Sequence, residues 1–168
     1  MKVNVVNISS NQLPKYETSQ SAGLDVRADF SRISPENPIK LFGDGEIIFK
    51  GEGHPITMLR LEPGSRALIP TGLFVAIPEG YEIQIRPRSG LALKKGLSLS
   101  NCVGTIDADY RNEIGLILIN HGLETAWIED GERIAQFILN KVENLEWSEV
   151  NSLDETDRKG GFGHTGIQ

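Results

Sequence analysis

The chain has 168 residues, 39% of them hydrophobic and 24% charged, which excludes a disordered chain and sets a single domain as the starting expectation. Lys and Arg number 17 against 23 Asp and Glu, a net charge of −6 that argues against a general duplex-DNA or anionic-membrane binder. A small phosphorylated ligand needs only a local basic pocket and stays open. The single cysteine, Cys102, excludes an internal disulfide and a Cys-cluster zinc site. The opening MKVNVVNISS lacks the apolar core of a signal peptide, and no apolar run approaches membrane-spanning length, so a cytoplasmic protein is expected.

In chain order, β-branched runs at 3–8, 66–69, 73–77, 81–86, 113–120 and 134–139 read as strands. Turn signals separate them: Pro63-Gly64, Pro70 ahead of Gly72, Pro78-Glu79-Gly80 and His121-Gly122. This rhythm predicts an all-β sandwich or barrel. Residues 31–56 interrupt it, with 39–42 and 46–50 flanking Gly43-Asp44-Gly45; Asp-Gly is a hairpin signal, so an extra surface hairpin on the core sheet is expected. One short helix is expected after Arg88-Ser89-Gly90, over Leu91–Lys95, stopped by Gly96. The β domain is read as 1–153. The glycine-rich residues 154–168 carry only Phe162 and Ile167 as large apolar side chains, too few to offset the entropy of ordering the segment alone.

Four local patterns depart from ordinary β-sandwich sequence. In Pro87-Arg88-Ser89-Gly90 a planar cation, a hydroxyl and a glycine suit an anion, although a tight turn with a surface arginine would read the same. In Gly104-Thr105-Ile106-Asp107-Ala108-Asp109-Tyr110-Arg111-Asn112, an extended 106–108 would put Asp107 and Asp109 on one side, able to orient a water or a hard cation. Arg111-Asn112 would then turn the chain back as a hairpin, and the bland alternative is an acidic hairpin end. In Gly131-Glu132-Arg133-Ile134-Ala135-Gln136, the glutamine is either a ligand or a satisfied edge residue. In Arg158-Lys159-Gly160-Gly161-Phe162-Gly163-His164, glycines could wrap a phosphate chain and Phe162 stack on a base, or the segment is simply a tail. No Walker loop, nucleophile elbow or histidine metal spacing is present.

Together and in this order, these patterns resemble the five motifs of the homotrimeric dUTP pyrophosphatase (dUTPase) family. They match as Ser21-Ala22-Gly23-Leu24-Asp25-Val26, Pro87-Arg88-Ser89-Gly90-Leu91-Ala92, Gly104 through Arg111, Arg133-Ile134-Ala135-Gln136, and the Gly-Gly-Phe-Gly arm at 160–163. The resemblance implies a distorted jelly-roll β-barrel with one short helix and a homotrimer with active sites at subunit interfaces. It further implies Mg²⁺ and hydrolysis of dUTP to dUMP and diphosphate, which limits uracil in DNA and supplies dUMP for dTMP synthesis. By position, Asp107 aligns with the general base and Tyr110 with the ring that packs on deoxyribose and excludes a 2′-hydroxyl. Asn101, with Thr105 and Ile106, falls where uracil is held. Arg88, Ser89 and Gly90 align with phosphate-lining residues. Asp25 and Gln136 align with those that arrange the Mg²⁺ waters, carried mainly on substrate phosphates, and the phosphate chain. The resemblance further implies that Arg158 meets the γ-phosphate, that Phe162 and Gly163 cover the base, and that the arm at 154–168 closes over a site. Only Lys159 stands between Arg158 and the glycine pair, where the family has two residues. The related dCTP deaminases share the fold and are the main alternative; a non-enzymatic nucleotide-binding module is the other.

Overall fold

The computed structural model describes residues 1–49, 56–157 and 160, and over them the chain is almost entirely β, with one helix. The strands are β1 (Asn4–Asn7), β2 (Leu24–Arg27), β3 (Lys40–Phe42), β4 (Gly45–Phe49), β5 (Ile56–Leu61), β6 (Arg66–Pro70) and β7 (Leu73–Ala76). They continue with β8 (Tyr81–Pro87), the helix α1 (Ser89–Lys95), β9 (Leu97–Leu99), β10 (Gly104–Ile106), β11 (Gly115–Asn120), β12 (Ala126–Glu129) and β13 (Arg133–Lys141). Two four-stranded sheets, ordered β10-β8-β13-β2 and β3-β6-β11-β9, form the body; β12-β5-β4 and β1-β7 complete it. All pairings are antiparallel. This is the expected jelly-roll architecture.

Alternation of side chains explains how the sheets face each other. Along β11, Leu116, Leu118 and Asn120 point inward while Gly115, Ile117 and Ile119 lie half-buried on the other side. Along β8, Ile83 and Ile85 turn in; Ile85 lies opposite Phe137 of β13, and Ile134, Ile69, Leu97 and Ile114 belong to the same core. Each such side chain taken out of water contributes about 1.5–3 kcal/mol. The buried Asn120 is admitted because its amide donates to Leu61 O and Glu124 O, both at 2.9 Å, and its oxygen accepts from Gly122 N–H.

The strands expected at 3–8, 66–69, 73–77, 81–86, 113–120 and 134–139 are all present with shifted ends. The helix starts two residues earlier than expected, at Ser89, and stops at Gly96, whose φ of 66° and ψ of 8° place it in the left-handed region.

Two expected hairpins do not form. The strands on either side of Gly43-Asp44 join different sheets: β3 pairs with β6 (Lys40↔Leu68, Phe42↔Arg66), and β4 pairs with β5 (Glu46↔Arg60, Ile47↔Leu59). The Asp-Gly signal does encode a sharp turn, with Gly43 at φ 96° and Asp44 N–H donating to Ser65 Oγ at 2.7 Å. Burial, however, chooses the partners. Ile33 and Ile39 enter the core, so this segment is woven into the body rather than added to its surface. Likewise β10 pairs with β8 and β11 with β6 and β9, so 104–120 is a crossing between sheets, not a hairpin.

Candidate active site

At one end of the β10-β8-β13-β2 sheet, three strand positions converge. Gln136 of β13 lies opposite Asp25 of β2 and Arg86 of β8, and Arg88 follows directly where β8 gives way to α1. The Arg88 guanidinium grips Asp25 with two parallel contacts, Nε to Oδ1 at 3.1 Å and Nη2 to Oδ2 at 3.0 Å. Its Nη1 donates to Arg133 O at 2.8 Å. Arg133 Nη1 also reaches Asp25 Oδ2 at 3.1 Å and Glu17 Oε1 at 3.3 Å. Two arginines thus share one half-buried carboxylate, with the exposed Glu17 as the looser counter-charge.

Gln136 belongs to the interior of the sheet, flanked by β8 and β2, so it is not an edge residue. Its amide nitrogen donates to Pro87 O at 2.9 Å, and its oxygen lies where a Gly23 side chain would stand, 2.7 Å from that Cβ position. The missing side chain at Gly23, just ahead of β2, therefore leaves room for the glutamine amide.

Ser89 and Gly90 open the helix, both exposed. Leu91 and Ala92 N–H both donate to Arg88 O, so the first-turn amides that helix geometry leaves over are those of Ser89 and Gly90. A Cβ on Gly90 would meet nothing within 4 Å, so the fold of this chain does not itself demand glycine there.

The third motif lies elsewhere. Gly104 faces Ile85 and Ile106 faces Ile83, which carries Asp107 toward the Tyr81 end of β8. β10 stops at Ile106, and Tyr110 N–H donates to Asp107 O at 3.2 Å, closing a turn. The expected extended 106–108 stretch, with Asp107 and Asp109 sharing a strand face, is therefore replaced by a turn that presents both to solvent. Arg111 locks the turn by donating to Ala108 O (2.6 Å) and Tyr110 O (2.9 Å). Tyr110 is half-buried against the core, and its hydroxyl donates to Glu113 O at 3.0 Å, which fixes the ring. Asn101 and Thr105 are exposed and Ile106 is buried; the Asn101 amide nitrogen lies 3.3 Å from where a Gly104 Cβ would stand.

The structure thus joins Asp25, Arg88, Ser89, Gly90 and Gln136 in one cluster and Asn101, Thr105, Ile106, Asp107 and Tyr110 in another. Ile83, beside Ile106, and Arg88, just past the end of β8, are five residues apart, about 17 Å of backbone at the usual strand rise. Arg158, Phe162 and Gly163 lie outside the described residues. Sequence reasoning gave no role to Arg133 or Glu17; a charged residue opening an otherwise apolar strand was the available signal for Arg133.

The described residues hold no group of three or more His, Cys, Asp or Glu able to cage a metal. Both Asp25 oxygens are already engaged by guanidinium. This donor set fits an Mg²⁺ that would arrive on phosphates and keep its waters, and does not fit a direct protein cage.

Paired arginines beside the exposed first-turn amides of Ser89 and Gly90, at one end of a jelly-roll sheet, make up a β-protein site suited to an anionic ligand. The dUTPase family model matches residues 56–166. A deoxyuridine 5′-triphosphate nucleotidohydrolase of Finegoldia magna is 51% identical over 167 residues, covering 99% of both chains. One from Fusobacterium nucleatum is 47% identical, covering 99% of this chain and 97% of its own. In fold, a variant dUTPase of Staphylococcus bacteriophage 80alpha with dUpNHpp is similar at a TM-score of 0.74, with 22% identity and 99% of both chains covered. A variant dUTPase of phage phi11 of S. aureus, described with a structural Mg(II) ion, is similar at 0.69, with 20% identity over 92% of this chain and 100% of its own. The chain belongs to the dUTPase family.

Proposed function

We propose that the chain hydrolyses dUTP to dUMP and diphosphate at sites each built from more than one copy of itself, arranged as a homotrimer. The observation that carries this reading is the separation of the two motif clusters along β8. About 17 Å of backbone separates the two clusters, and the Asp25 clamp fixes the direction of the Arg88 guanidinium, so one copy alone does not bring this base and this arginine onto a single phosphate chain. A second copy supplying the other cluster completes the site. The segment after β13 supports the same conclusion, since Leu145, Trp147, Val150 and Leu153 are 59–88% exposed, an apolar row that a neighbouring copy would cover.

In the assembled site, Asp107 accepts a proton from a water whose oxygen attacks the α-phosphorus. The bond from that phosphorus to the bridging oxygen breaks, and diphosphate leaves with the electron pair. Arg88 and the Ser89 and Gly90 amides hold the negative oxygens as charge moves toward the leaving group. Gln136 fixes the Pro87 carbonyl and so the entry to the helix. Tyr110 closes against the deoxyribose, where a 2′-hydroxyl would collide. Bound Mg²⁺ would neutralise the phosphate chain, and Asp25 is the residue that would hold it through a water. Arg158 contacts the γ-phosphate, while Phe162 and Gly163 cover the base. Asn101 reads uracil. A cytoplasmic location fits a chain with one free, exposed cysteine and, among the described residues, no helix long and apolar enough to cross a membrane.

The test is diphosphate release from dUTP against dCTP, dTTP and UTP, with and without Mg²⁺. The reading predicts release from dUTP alone, dependent on Mg²⁺. Ammonia release from dCTP would replace it with a deaminase.

A further inference from the structure

Residues 31–56 carry none of the five motifs, yet their second residue enters a charged network that ends at the third motif. Arg32 donates from Nε to Asp29 Oδ2 at 3.1 Å and from Nη2 to Glu113 Oε1 at 2.5 Å. Asp29 is fully buried and is held in turn by Ser31, Oγ to Oδ1 at 2.6 Å, while its own N–H donates to Pro70 O. The same Glu113 oxygen accepts Gly72 N–H at 2.8 Å, and the Glu113 carbonyl accepts the Tyr110 hydroxyl. One residue, Glu113, therefore links the guanidinium to the ring.

We propose that Arg32 is a positioning residue: through Glu113 it holds the Asp107–Tyr110 turn in place and thereby sets discrimination against ribonucleotides. This rests on the sugar-selecting role given to Tyr110. The need for such a tie follows from the fold. The chain between β10 and β11 crosses from one sheet to another, so no ladder of strand hydrogen bonds holds it. It is pinned at Ile114, whose N–H donates to Leu73 O and whose carbonyl accepts Thr71 Oγ1 at 2.7 Å. Between Ile114 and Tyr110, Arg111 ties the turn to itself, whereas Glu113 ties it to the rest of the body through a carboxylate oriented by Arg32 and the Gly72 amide. A ring that excludes a single hydroxyl needs sub-ångström placement, so a looser Glu113 costs selectivity before it costs hydrolysis.

The charge on Arg32 is constant across working pH. Burial pulls its pKa down, but the hydrogen bonds and charges of Glu113 and Asp29 more than offset this and hold it above the ordinary arginine value. Its positive charge is therefore lost only in strong alkali, and the tie lasts as long as the two carboxylates stay ionised. The fork geometry matters as well as the charge, because one planar guanidinium spans two carboxylates.

The experiment compares wild type, Arg32→Met, Arg32→Lys, Glu113→Gln and Tyr110→Ala by kcat/KM for dUTP and UTP and by amide exchange of the unliganded proteins. Arg32→Met and Glu113→Gln are each expected to narrow the dUTP/UTP ratio roughly three- to tenfold. Exchange should quicken over 107–114 while 116–120 stays protected, and Arg32→Lys should recover part of both effects. A folded Arg32→Met with the wild-type ratio and wild-type exchange would overturn the proposal. If that variant does not fold, Arg32→Lys and Glu113→Gln decide on the same readouts. Should Tyr110→Ala keep the wild-type ratio, the sugar reading fails instead, and the exchange data still decide whether Arg32 fixes the turn.

Discussion

Arg88 and Asp25 are 63 positions apart in the chain, yet they meet in a two-point clamp at 3.1 and 3.0 Å that makes the first and second motifs one unit. The clamp aims the guanidinium. It also places a carboxylate close to where a negatively charged ligand would bind, a cost that a second cation, Arg133, helps to offset.

Replacing Asp25 with Asn leaves two guanidinium groups facing a neutral amide. The pair is partly exposed, so the loss is smaller than for a fully buried one, about 1–3 kcal/mol of folding stability. Thermal unfolding measures this. Turnover should fall by more than the stability change explains, because Arg88 is then free to leave its aimed position.

Asp107 behaves in the opposite way. It is exposed, and among the described residues its side chain supports no contact that the fold requires. Asp107→Asn is expected to leave stability within about 0.5 kcal/mol and to lower kcat by about 10²–10⁴-fold. Denaturant unfolding and single-turnover kinetics check the two halves. Near-normal turnover would remove it as the base.

Two glycines beside the helix separate ligand from fold. A Cβ at Gly96 would lie 2.5 Å from backbone atoms of Gly122, at a φ of 66° that side chains resist, so Gly96→Ala should cost about 1–3 kcal/mol. Gly90→Ala meets open space and gains helix propensity, so stability should hold or rise by up to about 1 kcal/mol. Its turnover should nevertheless fall roughly tenfold or more, because a methyl there stands between the amides and a phosphate. Melting curves and steady-state rates on the two variants distinguish the roles.

How much was legible beforehand follows from the range of each signal. Alternation in 81–87 or 115–120 is local, so these strands could be read directly. The stop at Gly96 was equally local. Gly43-Asp44 announced a turn, but pairing of β3 with β6 and of β4 with β5 depends on what Ile33 and Ile39 bury against, which no short window contains. The same holds for the turn at Asp107, where Arg111 and the pinned Ile114 break the extended geometry that Ile106-Asp107-Ala108 suggests. Of the site, motif residues were visible one by one. That Arg133 joins Arg88 on Asp25 was not, since ion pairs between distant strands leave no spacing to read.

The central claim, that one site draws Asp107 and Arg88 from different copies, is tested most directly by mixing two inactive variants. Asp107→Asn and Arg88→Ala proteins are each assayed alone, then unfolded together, refolded and assayed for dUTP hydrolysis. A cyclic trimer assembled at random from equal amounts should recover about a quarter of wild-type activity, because some interfaces then pair two intact clusters. Mixed oligomers that form but stay as inactive as their parents would contradict the account.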